Sequence, residues 1–284
     1  MNLNPTRRQI LASSAAALLA PLAGAEAGQF TGKIRKSLKW NMVKPATPVP
    51  LVDAFKKLRE CGFEGVEPNL GDVKDPAEWL AASQASGLLI DGTVTASTNP
   101  EDLEKGIRLT KQLGGDSTLV VARYPQDKPI LESWKTSQEQ LRAAIPLAQE
   151  LGVKLLVENV WATFLISPMD MARYIDEIGS PWVQVHFDIG NMVRWGIPEH
   201  WAQVLGTRSQ KLDIKEYDLK KAMSEGMGKG FDVPLGEGSI NWPAVRAELA
   251  KINFQGWAAA EMRGGDWEYL TDVARRMDRV LDLG

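Results

Sequence analysis

Four acidic residues in this chain each close a short apolar run: Glu158 after Lys-Leu-Leu-Val, Asp188 after Val-Gln-Val-His-Phe, Asp213 after Lys-Leu, and Glu261 after Trp-Ala-Ala-Ala. A carboxylate at the carboxyl end of a buried strand is costly to desolvate unless a partner neutralises it, so four that converge imply a bound cation. An all-oxygen set of hard donors suits Mn²⁺ or Mg²⁺ better than copper or zinc. The alternative for any one acid is helix capping, or an ion pair with Lys154, Lys211 or Lys215. Four on consecutive strands favour the metal.

Other side chains near these positions carry two readings each. Lys215 has the strand parity of Asp213, so both face inward, where an ammonium can hydrogen-bond a ligand oxygen or pair with one of the acids. His186 shares parity with Asp188 one layer deeper and reads as a core or supporting histidine more than as a ligand. Glu67 ends the second strand and suits either substrate hydroxyls or a salt bridge in a barrel mouth. Trp40 and Trp161 suit stacking on the apolar face of a sugar, or core packing. Arg263, two residues past Glu261, suits a carboxylate or hydroxyl partner, or the surface.

The elements that must position these groups recur as apolar runs separated by helical stretches, at a period near thirty residues, the rhythm of repeated βα units. Strands are expected at 37–43, 65–68, 88–94, 117–122, 154–160, 183–188, 211–215 and 256–261. Eight such runs fit a single (β/α)8 TIM barrel, in which strand ends gather on one face whatever their sequence separation. Leu51, Ala54, Phe55 and Leu58 mark one helix face, ended by Gly62. Asn99-Pro100 and Trp242-Pro243 open two further helices. Two connections look long, 124–135 and 217–240. The second is glycine-rich and is expected to be mobile, as long loops on this face commonly bind ligands or act as lids. Its Gly226-x-Gly228-x-Gly230 follows no strand-to-helix turn of the kind a phosphate cradle needs.

The 284 residues, 44% of them hydrophobic, can bury one large core. The first 27 read separately: Thr6-Arg7-Arg8-Gln9-Ile10-Leu11 precedes an alanine-rich stretch ending in Ala25-Glu26-Ala27, the pattern of a twin-arginine signal peptide with a small-x-small cleavage site. The expected division is 1–27 signal, 28–35 linker and 36–284 barrel, with export to the periplasm by the twin-arginine machinery and no stable membrane insertion after cleavage. Removing Arg7, Arg8 and Glu26 leaves 31 basic and 35 acidic side chains, a formal charge of −4, a poor match to nucleic acid. Cys61 is the only cysteine, which excludes an intramolecular disulfide, and two histidines are too few for a histidine-rich zinc site.

Several segments together resemble the xylose isomerase-like barrel superfamily and, within it, the sugar phosphate isomerase/epimerase group of hydroxypyruvate isomerases and ketose 3-epimerases. They are Gly62-Phe63-Glu64-Gly65-Val66-Glu67, Leu156-Val157-Glu158-Asn159, His186-Phe187-Asp188-Ile189-Gly190-Asn191, Lys211-Leu212-Asp213-Ile214-Lys215-Glu216, the run from Pro234 to Trp242, and Ala260-Glu261. The resemblance spans about residues 36–282. It implies metal ligands at Glu158, Asp188, Asp213 and Glu261, with both glutamates doubling as acid/base catalysts. Asp213 stands where that group usually has histidine, which makes this set more anionic, and Asn191 stands where ketose epimerases often place a histidine near substrate. The chemistry implied is proton transfer beside a carbonyl through a metal-stabilised enediolate.

The leading expectation is therefore a metal-dependent isomerase or epimerase of an unphosphorylated sugar or keto-sugar. The same chemistry can expel a group from the β-carbon, giving a dehydratase or a lyase acting on 3-keto-glycosides. A non-catalytic sugar-binding barrel is the alternative of another class, though it would not need both glutamates. A DNA-repair endonuclease on this barrel would need more histidines than His186 and His200. Assembly as a homo-oligomer stays open.

Overall fold

The computed structural model describes residues 27–161 and 164–284. The twin-arginine motif and its apolar stretch lie outside the described residues. No described helix is long and apolar enough to cross a membrane.

Strand β1 (Ile34–Leu38) pairs in parallel with the last strand, β9 (Gly256–Ala260). From there the sheet runs through β8 (Ser209–Ile214), β7 (Val183–Asp188), β6 (Lys154–Glu158) and β5 (Ser117–Val120) to β4 (Gly92–Val94). The short β2 (Gly65–Val66) and β3 (Leu89–Ile90) fill the remaining gap. Single-residue parallel bridges, Lys39 to Glu67 and Asn69 to Val94, carry the ladder across it. The backbone bonds Glu67 N to Leu38 O at 2.9 Å and Asp91 N to Val66 O at 3.2 Å do the same. The molecule is a single α/β TIM barrel. The third of the eight expected strands is two segments, β3 and β4, because Asp91 interrupts it and turns its side chain inward.

Several boundaries differ from the sequence expectation. The first strand ends at Leu38, and Trp40–Met42 form a 3₁₀ turn after it. Residues 28–35 do not hang as a linker: Phe30 is buried, its N–H bonds Asp282 O at 3.1 Å, and β1 begins at Ile34. The connection 124–135 contains the start of α4 (Ile130–Leu151), and 217–240 contains α7 (Leu219–Glu225) and a 3₁₀ turn at Met227–Phe231. The other helices enclosing the ring are α1 (Leu51–Glu60), α2 (Pro76–Ser86), α3 (Pro100–Leu113), α5 (Pro168–Ile178), α6 (Pro198–Leu205), α8 (Trp242–Lys251) and α9 (Trp267–Leu281).

Local chemistry starts these helices where the sequence indicates. Asn99 accepts the Glu101 N–H at 2.9 Å, and Asn241, just before Trp242-Pro243, accepts the Ala244 N–H at 3.3 Å, each satisfying a first-turn donor. The outward strand residues, such as Leu155, Val157, Val185 and Phe187, pack with the helices into one apolar shell. The inside of the ring is different. Barrel interiors are usually filled by branched apolar side chains, but here Ser37, Lys39, Glu67, Asp91, His186 and Lys211 are all buried. That polar interior is the floor of the site.

Candidate metal centre and sugar site

Alternation along β7 turns Gln184, His186 and Asp188 inward, and alternation along the end of β8 does the same for Lys211 and Asp213. Two neighbouring strands bring inward residues level only if their registers agree. Val185 pairs with Ser209, yet His186 pairs with Lys211, so β8 carries one extra residue at this point. The irregularity brings Asp188 level with Asp213. Glu158 ends β6 on one side of this pair, and Glu261 follows β9 on the other. Oxygens of the four acids lie within 4.8 Å of one another.

Two ammonium groups enter this cluster. Lys215 Nζ lies 2.7 Å from Asp188 Oδ2 and 2.8 Å from Glu261 Oε2, and Lys39 Nζ lies 2.9 Å from Asp213 Oδ1. Gly190 allows the first of these, since a Cβ there would overlap the Lys215 chain. Despite these contacts, Asp188 Oδ2, both Asp213 oxygens and Glu261 Oε2 accept no aligned hydrogen bond. Six carboxyl groups gather in the ring, those of Glu67, Asp91, Glu158, Asp188, Asp213 and Glu261, against the three ammonium groups of Lys39, Lys211 and Lys215. Counted fully ionised, the carboxyl groups exceed the ammonium groups by three. Clustered carboxylate oxygens, all hard and anionic and outnumbering the ammonium groups beside them, fit a divalent cation held by Glu158, Asp188, Asp213 and Glu261.

The ionisation of the acids follows from the same crowding. Burial first, then the like charges of Glu261, Asp213 and Asp188, pushes the Glu158 carboxyl well above its ordinary range. Burial, partly offset by Lys215, pushes Asp188 up to about 7. Burial also opposes charge on Asp213, but His186 and Lys39 outweigh it and hold that carboxyl well below the usual value. Lys215 is raised against its own burial by Asp188 and Glu261. Asp213 and Lys215 are thus a fixed anion and a fixed cation, whereas Glu158 is poised to hold a proton.

Beneath the four acids lies a second layer. Lys39 pairs with Glu67 as well as Asp213, and Lys211 Nζ reaches Glu67 Oε1 at 2.5 Å and Asp91 Oδ2 at 3.0 Å. Ser37 donates its hydroxyl to the same Asp91 oxygen. Gly92 keeps this layer open, because a Cβ there would meet the Ser117 carbonyl and crowd both Lys211 Nζ and Glu67 Oε1. His186 is fully buried with Nε2 2.9 Å from Asp213 Oδ1; it supports an acid and does not line the cavity. Glu67, His186 and Asp213 form a second cluster that could hold a metal, but there Lys39 and Lys211 already neutralise the glutamate.

Above the acids opens a cavity of about 550 Å³, within the usual range for ligand sites. Glu67, Glu158, Trp161, Asn191, Lys215, Glu261 and Arg263 line it. Asn191 donates its amide to Glu158 Oε1 at 3.2 Å and turns its amide oxygen to Lys215 at 3.3 Å. Trp161 donates its indole N–H to the Asn191 carbonyl at 2.5 Å, which fixes the ring as a wall. Phe231 stacks on Trp161 with centroids 5.2 Å apart and lies 5.7 Å from Lys215 Nζ. The segment after β8 is therefore part of the wall. Trp40 is not brought to the cavity; its ring packs edge-on against Phe55 and Trp79, where Asn41 lines the mouth instead.

Lys39, Asp91, Arg123 and Phe231 were not singled out by sequence reasoning. Lys39 and Asp91 leave a signal, a charged residue just after or within an apolar strand run. Arg123 leaves the same signal, just after the run 117–122, whereas Phe231 leaves none, since it sits in a connection.

A family model described as a xylose isomerase-like TIM barrel matches residues 55–280. A Haemophilus influenzae protein provisionally named L-ribulose-5-phosphate 3-epimerase SgbU is 30% identical over 233 residues, covering 72% of this chain and 80% of its own. An inosose dehydratase of Geobacillus kaustophilus is 24% identical over 53% of each chain. Among solved structures, the 3-keto-D-glucoside 4-epimerase YcjR of E. coli superposes with a TM-score of 0.71 at 16% identity, covering 87% of this chain and 99% of its own.

Proposed function

The chain belongs to the xylose isomerase-like TIM barrel family, and from that premise we propose that it is a divalent-metal-dependent epimerase or isomerase of an unphosphorylated sugar or keto-sugar. The observation that carries this reading is the set of four carboxyl groups with oxygens within 4.8 Å of one another, at the ends of consecutive strands. The cation, Mn²⁺ or Mg²⁺, would polarise the substrate carbonyl and a neighbouring hydroxyl.

Glu158 and Glu261 then divide the proton work. The strand order puts them on opposite flanks of Asp188 and Asp213, so one can take the proton beside the carbonyl from one face while the other returns it to the opposite face. Lys215, pinned between Asp188 and Glu261, presents a permanent positive charge to the enediolate that proton loss leaves. Asn191, Trp161 and Arg263 are substrate contacts in this reading, with Glu67 at the floor. The twin-arginine pattern supports work outside the cytoplasm.

The test is solvent deuterium incorporation into unphosphorylated keto-sugars by Mn²⁺-loaded protein. Epimerisation or isomerisation should exchange the hydrogen beside the carbonyl and conserve mass apart from deuterium. Either Glu158→Gln or Glu261→Gln should slow exchange by about 10²–10⁴-fold. Full exchange in either variant would reject the assignment, and a conjugated enone absorbing in the ultraviolet would identify elimination instead.

A further inference from the structure

Beside the mouth lies a second cavity of about 420 Å³, and the two share Ala96, Val121 and Arg123 as a common border. The chemistry changes across that border. On the far side there is no member of the four-acid cluster; the lining is the half-buried ring of Tyr124 together with small hydroxyl side chains, including Ser97, Ser133 and Thr136. Lys128 and Glu132, its charged members on that side, face each other at 4.0 Å. Arg123 at the border has no ion-pair partner among the described residues.

Two features show polar groups there without partners. Ser133 is only 7% exposed, yet its Oγ has no hydrogen-bond partner among the described residues. Buried hydroxyls are ordinarily paired, so one left alone against a cavity points to a missing partner in it. Helix α4 begins beside it behind Pro129, which supplies no side-chain acceptor, so first-turn backbone donors are also uncapped.

From this geometry we infer that the side cavity is a subsite for a second, uncharged sugar ring, and that the substrate is a glycoside rather than a free monosaccharide. An aromatic face with dispersed hydroxyls matches the alternating apolar and hydroxylated faces of a pyranose. The local charges of Lys128 and Glu132 cancel, leaving Arg123 as a fork of donors for the linking and ring oxygens at the border. The keto-bearing ring occupies the four-acid mouth, and the second ring passes Arg123 to lie against Tyr124 and Ser133. The inference rests on the reading of the mouth as a keto-sugar site.

Titration calorimetry of Mn²⁺-loaded protein with 3-ketolactose and with methyl 3-keto-β-glucoside tests it, because binding is read whether or not turnover follows. The disaccharide should bind about tenfold more tightly. Thr136→Trp, which fills the side cavity from an exposed helical position, should abolish that advantage and leave the methyl glycoside within about twofold of wild type. Tyr124→Ala should reduce the advantage without filling anything. Equal affinities in the wild type, no detectable disaccharide binding, or equal losses for both ligands in Thr136→Trp would overturn the subsite. An advantage that vanishes in Thr136→Trp without proton exchange in either ligand would keep the subsite and overturn the epimerase reading. Exchange of both ligands at equal affinity would do the reverse.

Discussion

Glu67 sits between two ammonium groups, Lys39 and Lys211, and is itself almost fully buried. Burial works against its charge, but the two lysines prevail and hold its carboxyl at about 2. Glutamine at this position would keep the shape and remove the anion, leaving Lys211 with only Asp91 and Lys39 with only Asp213. Breaking one partner of a buried ionic network costs about 3–5 kcal/mol. Urea unfolding of Glu67→Gln should show a loss of that order, and Glu67→Gln with Lys211→Met should not recover it, since Asp91 then loses its only cation partner among the described residues. A single variant as stable as wild type would mean that the floor of the site is wetter than its burial indicates.

At the scale of elements, Glu216 joins β8 to everything that follows it. Its carboxylate accepts the Gly236 N–H at 2.8 Å and the Trp242 indole N–H at 2.9 Å, so the segment 217–240 is anchored at its far end to the residue that precedes it. The anchor holds the 3₁₀ turn that carries Phe231 against Trp161 and Tyr217. Glu216→Ala should unpair both donors, and limited proteolysis should then cut within 226–238 faster than in wild type. A helix-to-helix link offers a pH test. Glu177 of α5 accepts from Trp134 Nε1 at 2.8 Å, Gln138 Nε2 at 3.0 Å and Arg173 Nε at 2.6 Å, and these bonds hold its carboxyl at about 2, against an ordinary 4.5. A depressed carboxyl contributes stability above its unfolded value and loses it as pH falls through the folded one. The melting-temperature gap between wild type and Glu177→Gln should be widest near neutral pH and close as pH drops from about 4.5 toward 2. A gap that stays constant over that interval would show that the carboxylate charge plays no part.

Over the whole molecule, the barrel and its mouth were legible because they are written in strand alternation. In Val183–Asp188 every second residue is apolar and outward, so the acid at its end has a defined direction. The closure through β2 was less legible, since two residues and isolated bridges leave almost no pattern. The Trp40 position was not legible: its aromatic neighbours Phe55 and Trp79 come from the two helices that follow it, and only tertiary packing reveals the contact. The same limit hid the balance of charge, because no single strand shows that six acids meet three lysines. That imbalance sets the last expectation. A folded barrel that carries excess negative charge at its centre is stabilised by whatever cation binds there, by about 2.7 kcal/mol at a hundred times the dissociation constant. Mn²⁺ added to chelator-treated protein should therefore raise the melting temperature. Glu158→Gln resembles the protonated carboxyl that the metal-free cluster favours and keeps an oxygen toward Asn191, so without metal it should melt within a few degrees of wild type and with Mn²⁺ should lose most of the rise. An undiminished rise in Glu158→Gln would place the stabilising ion elsewhere than among the four strand-end carboxylates.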